Sequence, residues 1–126
     1  MGIYEEILVV DADEISVVIL GKQFQQAGFS PEFLIARTFA DMRKHLSKEK
    51  SPPLVLIEPI LPDCSPDEVL RWLQQKHIHK RSHVVILSAI SLPHLEALCA
   101  GFDYTCLSKP LGIGTVAKIM AGEFKK

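Results

Sequence analysis

The sequence predicts an α/β domain in which a five-stranded parallel sheet carries helices on both faces. Three wholly apolar runs, Ile7-Leu8-Val9-Val10, Leu54-Val55-Leu56-Ile57 and Val84-Val85-Ile86-Leu87, lack the in–out alternation of a half-exposed strand. Such runs fit strands covered on both faces, as parallel strands are. Segments of helical periodicity separate the apolar runs, so strand and helix alternate five times along the chain. Each of these three runs also stops at a polar residue, Asp11, Glu58 or Ser88. In open sheets of this class the carboxyl edge of the strands is where ligands bind.

Taken in order, Ile7 to Val10 is the first strand, and Asp11-Ala12-Asp13-Glu14 is an acidic turn into a helix from about Glu14 to Ala27. Acids suit a helix start because the macrodipole is positive there. Val17, Leu20, Phe24 and Ala27 share one face, and Gly28 is the stop. Phe33 to Ala36 reads as the second strand. Thr38 then caps a helix that turns Phe39, Met42 and Leu46 inward and carries Lys44, His45, Lys48 and Lys50 toward its end. Ser51-Pro52-Pro53 breaks the chain before the central strand, Leu54 to Ile57. Pro59 has no N–H for a sheet ladder, so this strand ends near Glu58.

Ser65-Pro66-Asp67-Glu68 is a helix start with a cap, a first-position proline and a capping-box glutamate. Val69, Leu70, Trp72 and Leu73 form that helix's apolar side, with Trp72 a core or dimer-contact residue. Lys76 to His83 reads as a polar, basic connection. His77, His79 and His83 lie in it beside Lys76, Lys80 and Arg81, which repel cations, so a solvated loop is expected rather than a metal site. The fourth strand, Val84 to Leu87, ends at Ser88. A short helix from Pro93 to Ala100 closes at Gly101. Tyr104 to Leu107 is the fifth strand, and a last helix from Ile113 to about Glu123 turns Val116, Ile119 and Met120 inward.

One domain over residues 1–126 accounts for this pattern, with 48% hydrophobic residues to fill one core. A net charge of −1 supplies no field to recruit nucleic acid or an anionic membrane. No apolar run is long enough to span a bilayer. Met1-Gly2-Ile3-Tyr4-Glu5-Glu6 is acidic where a signal peptide is basic, and Glu6 stands where a myristoylation motif has Ser or Thr. A cytoplasmic protein is expected. Cys64, Cys99 and Cys106 form neither a disulfide framework nor a zinc motif, and small buried or half-buried thiols are expected.

Asp11, Glu58, Ser88 and Lys109 follow the first, third, fourth and fifth apolar runs, so a parallel sheet brings them to one edge. With the Leu-Val-Val-Asp start, the Leu61-Pro62-Asp63 after the central strand and Ser108-Lys109-Pro110 near the end, this set resembles the response-regulator receiver domain of two-component signalling, chemotaxis-type. The resemblance runs from Ile7 to about Met120 and implies the flavodoxin-like (βα)5 receiver fold. It implies that Glu58 stands where the family has a phosphate-accepting Asp, and that Asp11 and Ala12 stand where two acids hold Mg²⁺. Ser88 matches the hydroxyl and Lys109 the cation that contact the phosphoryl group. Cys106 matches a position that is usually an aromatic rotamer switch.

The departures have physical consequences. Ala12 removes one carboxylate from the metal site, and Asp13, one position along, reads better as a helix-start acid than as a replacement ligand. Glu58 carries an extra methylene, and a displacement of about 1 Å in a reacting group can lose on the order of 100-fold in rate. Phosphoryl transfer relies on the metal to neutralise charge and position the group. The expectation is a degenerate pseudo-receiver: no cofactor, Mg²⁺ bound weakly if at all, no enzymatic activity, and signalling through protein partners. Glu58 would imitate an acyl phosphate only in part, with fewer acceptor oxygens and less charge. The expected partner is a histidine kinase or an output protein. A homodimer through the fourth helix, fifth strand and fifth helix would use Leu92, Leu95, Tyr104 and Cys106. The alternative is a working phosphorelay receiver phosphorylated at Glu58 or at a neighbour such as Asp63. A small enzyme on this sheet is disfavoured, because no glycine-rich phosphate loop follows the first strand and no Cys-His or Ser-His arrangement is legible.

Overall fold

The computed structural model describes residues 4–48, 50–102 and 104–124, so the reading of Met1 and Gly2 falls outside the described residues. Strands β1 (Glu6–Val10), β2 (Glu32–Ala36), β3 (Leu54–Ile57), β4 (His83–Ser88) and β5 (Thr105–Ser108) alternate with helices α1 (Glu14–Gln26), α2 (Phe39–Leu46), α3 (Pro66–Gln75), α4 (Leu92–Cys99) and α5 (Ile113–Met120). The strands form one sheet in the order β2-β1-β3-β4-β5. Every neighbouring pair is parallel, with Leu8 opposite both Leu34 and Val55, and Val55 opposite Val84.

Successive side chains of a strand point to opposite faces, and the unbroken apolar runs supply both. Leu8, Val10, Val55, Ile57, Val84 and Ile86 pack with Met42 and Leu46 of α2, Val69, Leu70 and Leu73 of α3, and Leu95 of α4. Ile7, Val9, Leu54, Leu56, Val85 and Leu87 pack on the other side with Leu20 and Phe24 of α1 and Val116, Ile119 and Met120 of α5. Helices α1 and α5 therefore cover one face, and α2, α3 and α4 the other. β1 and β3, at the centre, diverge into connections on opposite faces. That opens a crevice at their carboxyl ends.

Local chemistry sets the helix ends. Thr38 Oγ1 accepts from Asp41 N, and Ser65 Oγ from Glu68 N, as each cap predicts. The reciprocal half of the capping box is replaced: Glu68 Oε2 accepts instead from the Cys64 thiol at 3.7 Å. Helix α5 stops three residues before the expected Glu123. There Gly122, at φ 76°, lets its own N–H reach Ile119 O while Glu123 N reaches Lys118 O.

The connection expected over Lys76 to His83 is structured at both ends of its second half. His77 and His79 are exposed, but Ile78 is fully buried in a short 3₁₀ turn, Ile78–Lys80. His83 belongs to β4, where its N–H donates to Pro53 O at 2.9 Å. Its ring is buried and hydrogen-bonded through Nδ1 to the Tyr4 hydroxyl at 2.8 Å. A polar side chain buried with a partner costs little, which is why a histidine can open this strand.

Candidate functional site

Backbone bonds at the ends of the strands carry the site residues into the crevice. Asp11 N donates to Ala36 O at 2.9 Å, Glu58 N to Val10 O at 2.8 Å and Lys109 N to Ser88 O at 2.9 Å. Each bond continues a parallel ladder one step beyond its strand. Asp11, Glu58 and Lys109 are therefore fixed by the register of the sheet and not by a flexible loop.

The side chains then close on one another. Lys109 Nζ donates to Asp11 Oδ2 at 2.5 Å and to Glu58 Oε1 at 3.4 Å. The side chains are 6% (Asp11), 11% (Glu58) and 17% (Lys109) exposed, so the ammonium is largely withdrawn from water. The remaining carboxylate oxygens are held locally. Asp11 Oδ1 accepts from Asp13 N at 2.9 Å, and Glu58 Oε2 from Ile60 N at 3.4 Å. The result is an ion triad in which Lys109 leans toward Asp11 and touches Glu58 more loosely. Charges taken from water in this way are tolerated only when paired and hydrogen-bonded, and both conditions hold here.

Ser88 is fully buried at the end of β4, and its Oγ accepts from Ile90 N at 3.4 Å. Among the described residues its hydroxyl makes no bond to Glu58 or Lys109. Cys106 lies apart from the triad. It packs against the layer formed by α2, α3 and α4, with its thiol 3.7 Å from Tyr104 O.

Two acids have structural employment. Asp13 Oδ1 accepts from Ile15 N and Ser16 N and caps α1. Asp63 caps α2 from 24 residues away: Oδ1 accepts from Phe39 N at 2.8 Å and Oδ2 from Ala40 N at 3.1 Å. These two backbone donors hold the Asp63 carboxyl below its usual range, and the Arg43 guanidinium adds to the effect. Sequence reading missed this tertiary cap. Its only trace was a turn-forming Pro-Asp pair after a strand whose neighbouring helix needed donors satisfied.

The donor set does not fit a divalent cation of the kind the sequence resemblance implies. Ala12 offers no oxygen, Asp13 is turned to its helix, and the facing oxygens of Asp11 and Glu58 already hold an ammonium. Among the described residues no three His, Cys, Asp or Glu side chains group as ligands. Mg²⁺ prefers near-octahedral oxygen coordination, with water and phosphate completing one or two carboxylates.

Beside the triad lies a groove of about 380 Å³ whose lining includes Ile15, Ile19, Leu87, Lys109, Pro110 and Leu111. Ile15 (71% exposed) and Ile19 present apolar side chains to solvent along it, and Val18 of α1 and Ile113 of α5 are exposed outside its lining. The expected contact surface on α4, β5 and α5 is narrower than its sequence reading. Leu95 is fully buried and Tyr104 nearly so, because both belong to the core under α4, while Leu92 is exposed and Cys106 half-buried. The signal for the α1 surface was present in the sequence: that helix has Ile15, Val18 and Ile19 outside the stripe made by Val17, Leu20, Phe24 and Ala27.

No protein-family model and no curated protein matches the sequence. Solved structures do. A two-component response regulator from Legionella pneumophila superposes with a TM-score of 0.73 at 21% identity, covering 90% of this chain and 93% of that one. The chemotaxis response regulator CheY4 of Vibrio cholerae gives 0.71 at 16% identity, covering 92% and 95%. The Mn²⁺-bound form of the response regulator Rcp1 gives 0.70 at 21% identity, covering 94% and 90%. With its parallel strands in the order β2-β1-β3-β4-β5 and helices on both faces, the chain has the flavodoxin-like fold of response-regulator receiver domains.

Proposed function

We propose that this chain is a receiver-like signalling module that acts by binding a protein partner and is not switched by phosphorylation. The observation that carries the reading is the Lys109 ammonium seated between Asp11 and Glu58, at 2.5 and 3.4 Å. In a working phosphorylation site the acceptor carboxylate must be open to an incoming phosphoryl group, with a metal to neutralise it. Here the acceptor position is a glutamate, one metal-binding acid is Ala12, and a lysine already supplies the positive charge. Rcp1 was solved with Mn²⁺ bound; in this chain a divalent cation binds weakly at most. Asp63, the other carboxylate near the central strand, has both oxygens committed to α2.

The module is not an enzyme, and its output is a contact. Ile15, Val18 and Ile19 of α1 and Ile113 of α5 are exposed, whereas Leu95 and Tyr104 of the α4–β5 side are buried, so a histidine kinase or output protein is expected on the α1–α5 side. A homodimer through α4, β5 and α5 would rest mainly on Leu92 and Cys106. No described helix is long and apolar enough to cross a membrane.

The test is intact-protein mass after incubation with acetyl phosphate and Mg²⁺, on the native chain, on Glu58→Asp and on Glu58→Asp combined with Ala12→Asp. The native chain is expected to stay unmodified, and an adduct to form best when both acids are restored. A stoichiometric, Mg²⁺-dependent adduct on the native chain, mapped to Glu58 or Asp63, would make it a working phosphorelay receiver instead.

A further inference from the structure

The triad occupies the carboxyl edge of the sheet, and a cluster of positive charge occupies the amino edge of β3 and β4. Lys44, Lys48 and Lys50 lie on and after the last turn of α2, and Lys76, Lys80 and Arg81 lie between α3 and β4. All six are exposed. Three bonds stitch the two connections side by side: Arg81 Nη2 donates to Leu46 O at 3.2 Å, Ser82 Oγ to Pro52 O at 2.6 Å and His83 N to Pro53 O at 2.9 Å. Lys44, Lys76 and Arg81 answer the C-terminal carbonyls of α2 and α3, but Lys48, Lys50 and Lys80 lie outside both helices and have no such work. No ion pair joins any of the six to an acid among the described residues. The sequence gives the reason: Glu49 is the single acid between Asp41 and Glu58, and none stands between Glu68 and Glu96.

We propose that these two connections form a docking site for an acidic segment, rich in Asp and Glu, of a protein partner. Like charges gathered on one surface and left unpaired repel one another, and an incoming row of carboxylates relieves that repulsion. Five of the six are lysines, point charges on flexible stems, which suit spread carboxylates better than the forked recognition of one phosphate. The neighbouring strands limit the size of the occupant. Glu6 and Glu32 stand opposite each other at the amino ends of β1 and β2, beside Glu5, and Glu5 and Glu32 are exposed. Because β1 lies next to β3, this acidic corner adjoins the basic one. A flat anionic membrane or a long nucleic acid laid across the edge would meet both corners. A short acidic segment along the α2–α3 side meets only the cations. The whole chain carries −1, so the attraction belongs to this patch and not to the protein as a whole. The site lies at the opposite end of the strands from Lys109 and on the opposite face from α1. It therefore depends neither on the state of the triad nor on the α1–α5 contact.

The experiment titrates the whole native chain with an oligoglutamate peptide at low salt, followed by two-dimensional amide NMR. Saturable shifts are expected at Lys44, Lys48, Lys76, Lys80 and Arg81, with affinity falling as salt is raised. Lys76→Glu combined with Lys80→Glu should weaken binding about tenfold, since two attractions become two repulsions. Lys22→Glu combined with Lys118→Glu, at exposed positions of α1 and α5, makes the same change in net charge and should leave affinity within about twofold. Equal losses from the two double variants would mean attraction by overall charge alone and would overturn the proposal. So would the absence of saturable shifts at the patch. Tighter binding there of a single-stranded oligonucleotide or of phosphatidylglycerol vesicles would replace the acidic partner with a nucleic acid or a membrane. Self-association of the native chain that Lys76→Glu with Lys80→Glu abolishes would replace it with a second copy.

Discussion

Lys109 and Asp11 stand 98 positions apart in the chain, yet their ammonium and carboxylate meet at 2.5 Å, beneath a third charge from Glu58. The contact joins the ends of β1, β3 and the loop after β5, so one side chain ties the two central strands to the edge strand. Its value lies less in raw Coulomb attraction than in what removal would leave. Two carboxylates would then face each other in a crevice that water barely enters.

Replacing Lys109 with Met keeps the stem and deletes the charge. Unfolding in urea should show a loss of about 2–4 kcal/mol, since removing one member of a buried ion pair strands the others. Adding Asp11→Asn and Glu58→Gln to the same chain should restore most of the loss. If Lys109→Met alone were neutral, the triad would be a surface ion pair of little weight.

Asp63 links acidity to the fold through α2. Its carboxyl is held below the usual range by Phe39 N and Ala40 N, so its folded-state value is depressed. The stability it contributes is present above the ordinary carboxylate value of about 4 and is lost as pH falls through the lower folded value. Asp63→Asn should therefore be less stable than the native chain near neutrality, and the gap should close in acid. Thermal melts across pH 2 to 7, run on both proteins, check the sign.

Tyr104 gives the opposite edge of the pH range. Burial pushes its phenol up to about 12, and its hydroxyl donates to Leu70 O at 3.4 Å. The folded chain holds that proton where an unfolded chain, with a phenol near 10, releases it. Stability should be unaffected below about pH 10 and fall between there and 12. Ultraviolet titration should show Tyr104 ionising late or together with unfolding, and Tyr104→Phe should remove that component.

The α1 surface should be dispensable for folding. Ile15 is 71% exposed and Leu20, on the same helix, 6%. Ile15→Lys should change the unfolding free energy by no more than about 0.5 kcal/mol. Leu20→Ala should cost about 2–4 kcal/mol, because it opens a cavity between α1 and the sheet. An equal loss from both would mean that Ile15 serves the fold and not a contact.

Much of this architecture could be read from residues alone, for a physical reason. Parallel strands buried on both faces must be apolar throughout, so Ile7 to Val10, Leu54 to Ile57 and Val84 to Leu87 declare themselves. Once those strands are parallel, Asp11, Glu58 and Lys109 must share an edge. What escaped depended on contacts between distant segments. His83 reads as loop because its partner, Tyr4, is 79 positions away. Asp63 reads as a spare acid because the helix it caps lies earlier in the chain. Leu95 and Tyr104 read as surface because the short α4 gives too few turns to show which side is covered.

The most direct test of the account is an Mg²⁺ titration of the native chain followed by two-dimensional amide NMR. If Lys109 already fills the place of the cation, the amides of Asp11, Ala12, Glu58 and Lys109 should shift only slightly and without saturation. The Ala12→Asp, Lys109→Met double variant should then gain saturable shifts at those positions. Saturable binding to the native chain, centred on Asp11 and Glu58, would contradict the account. It would mean that the ammonium yields to a metal and that the site is open for phosphoryl chemistry.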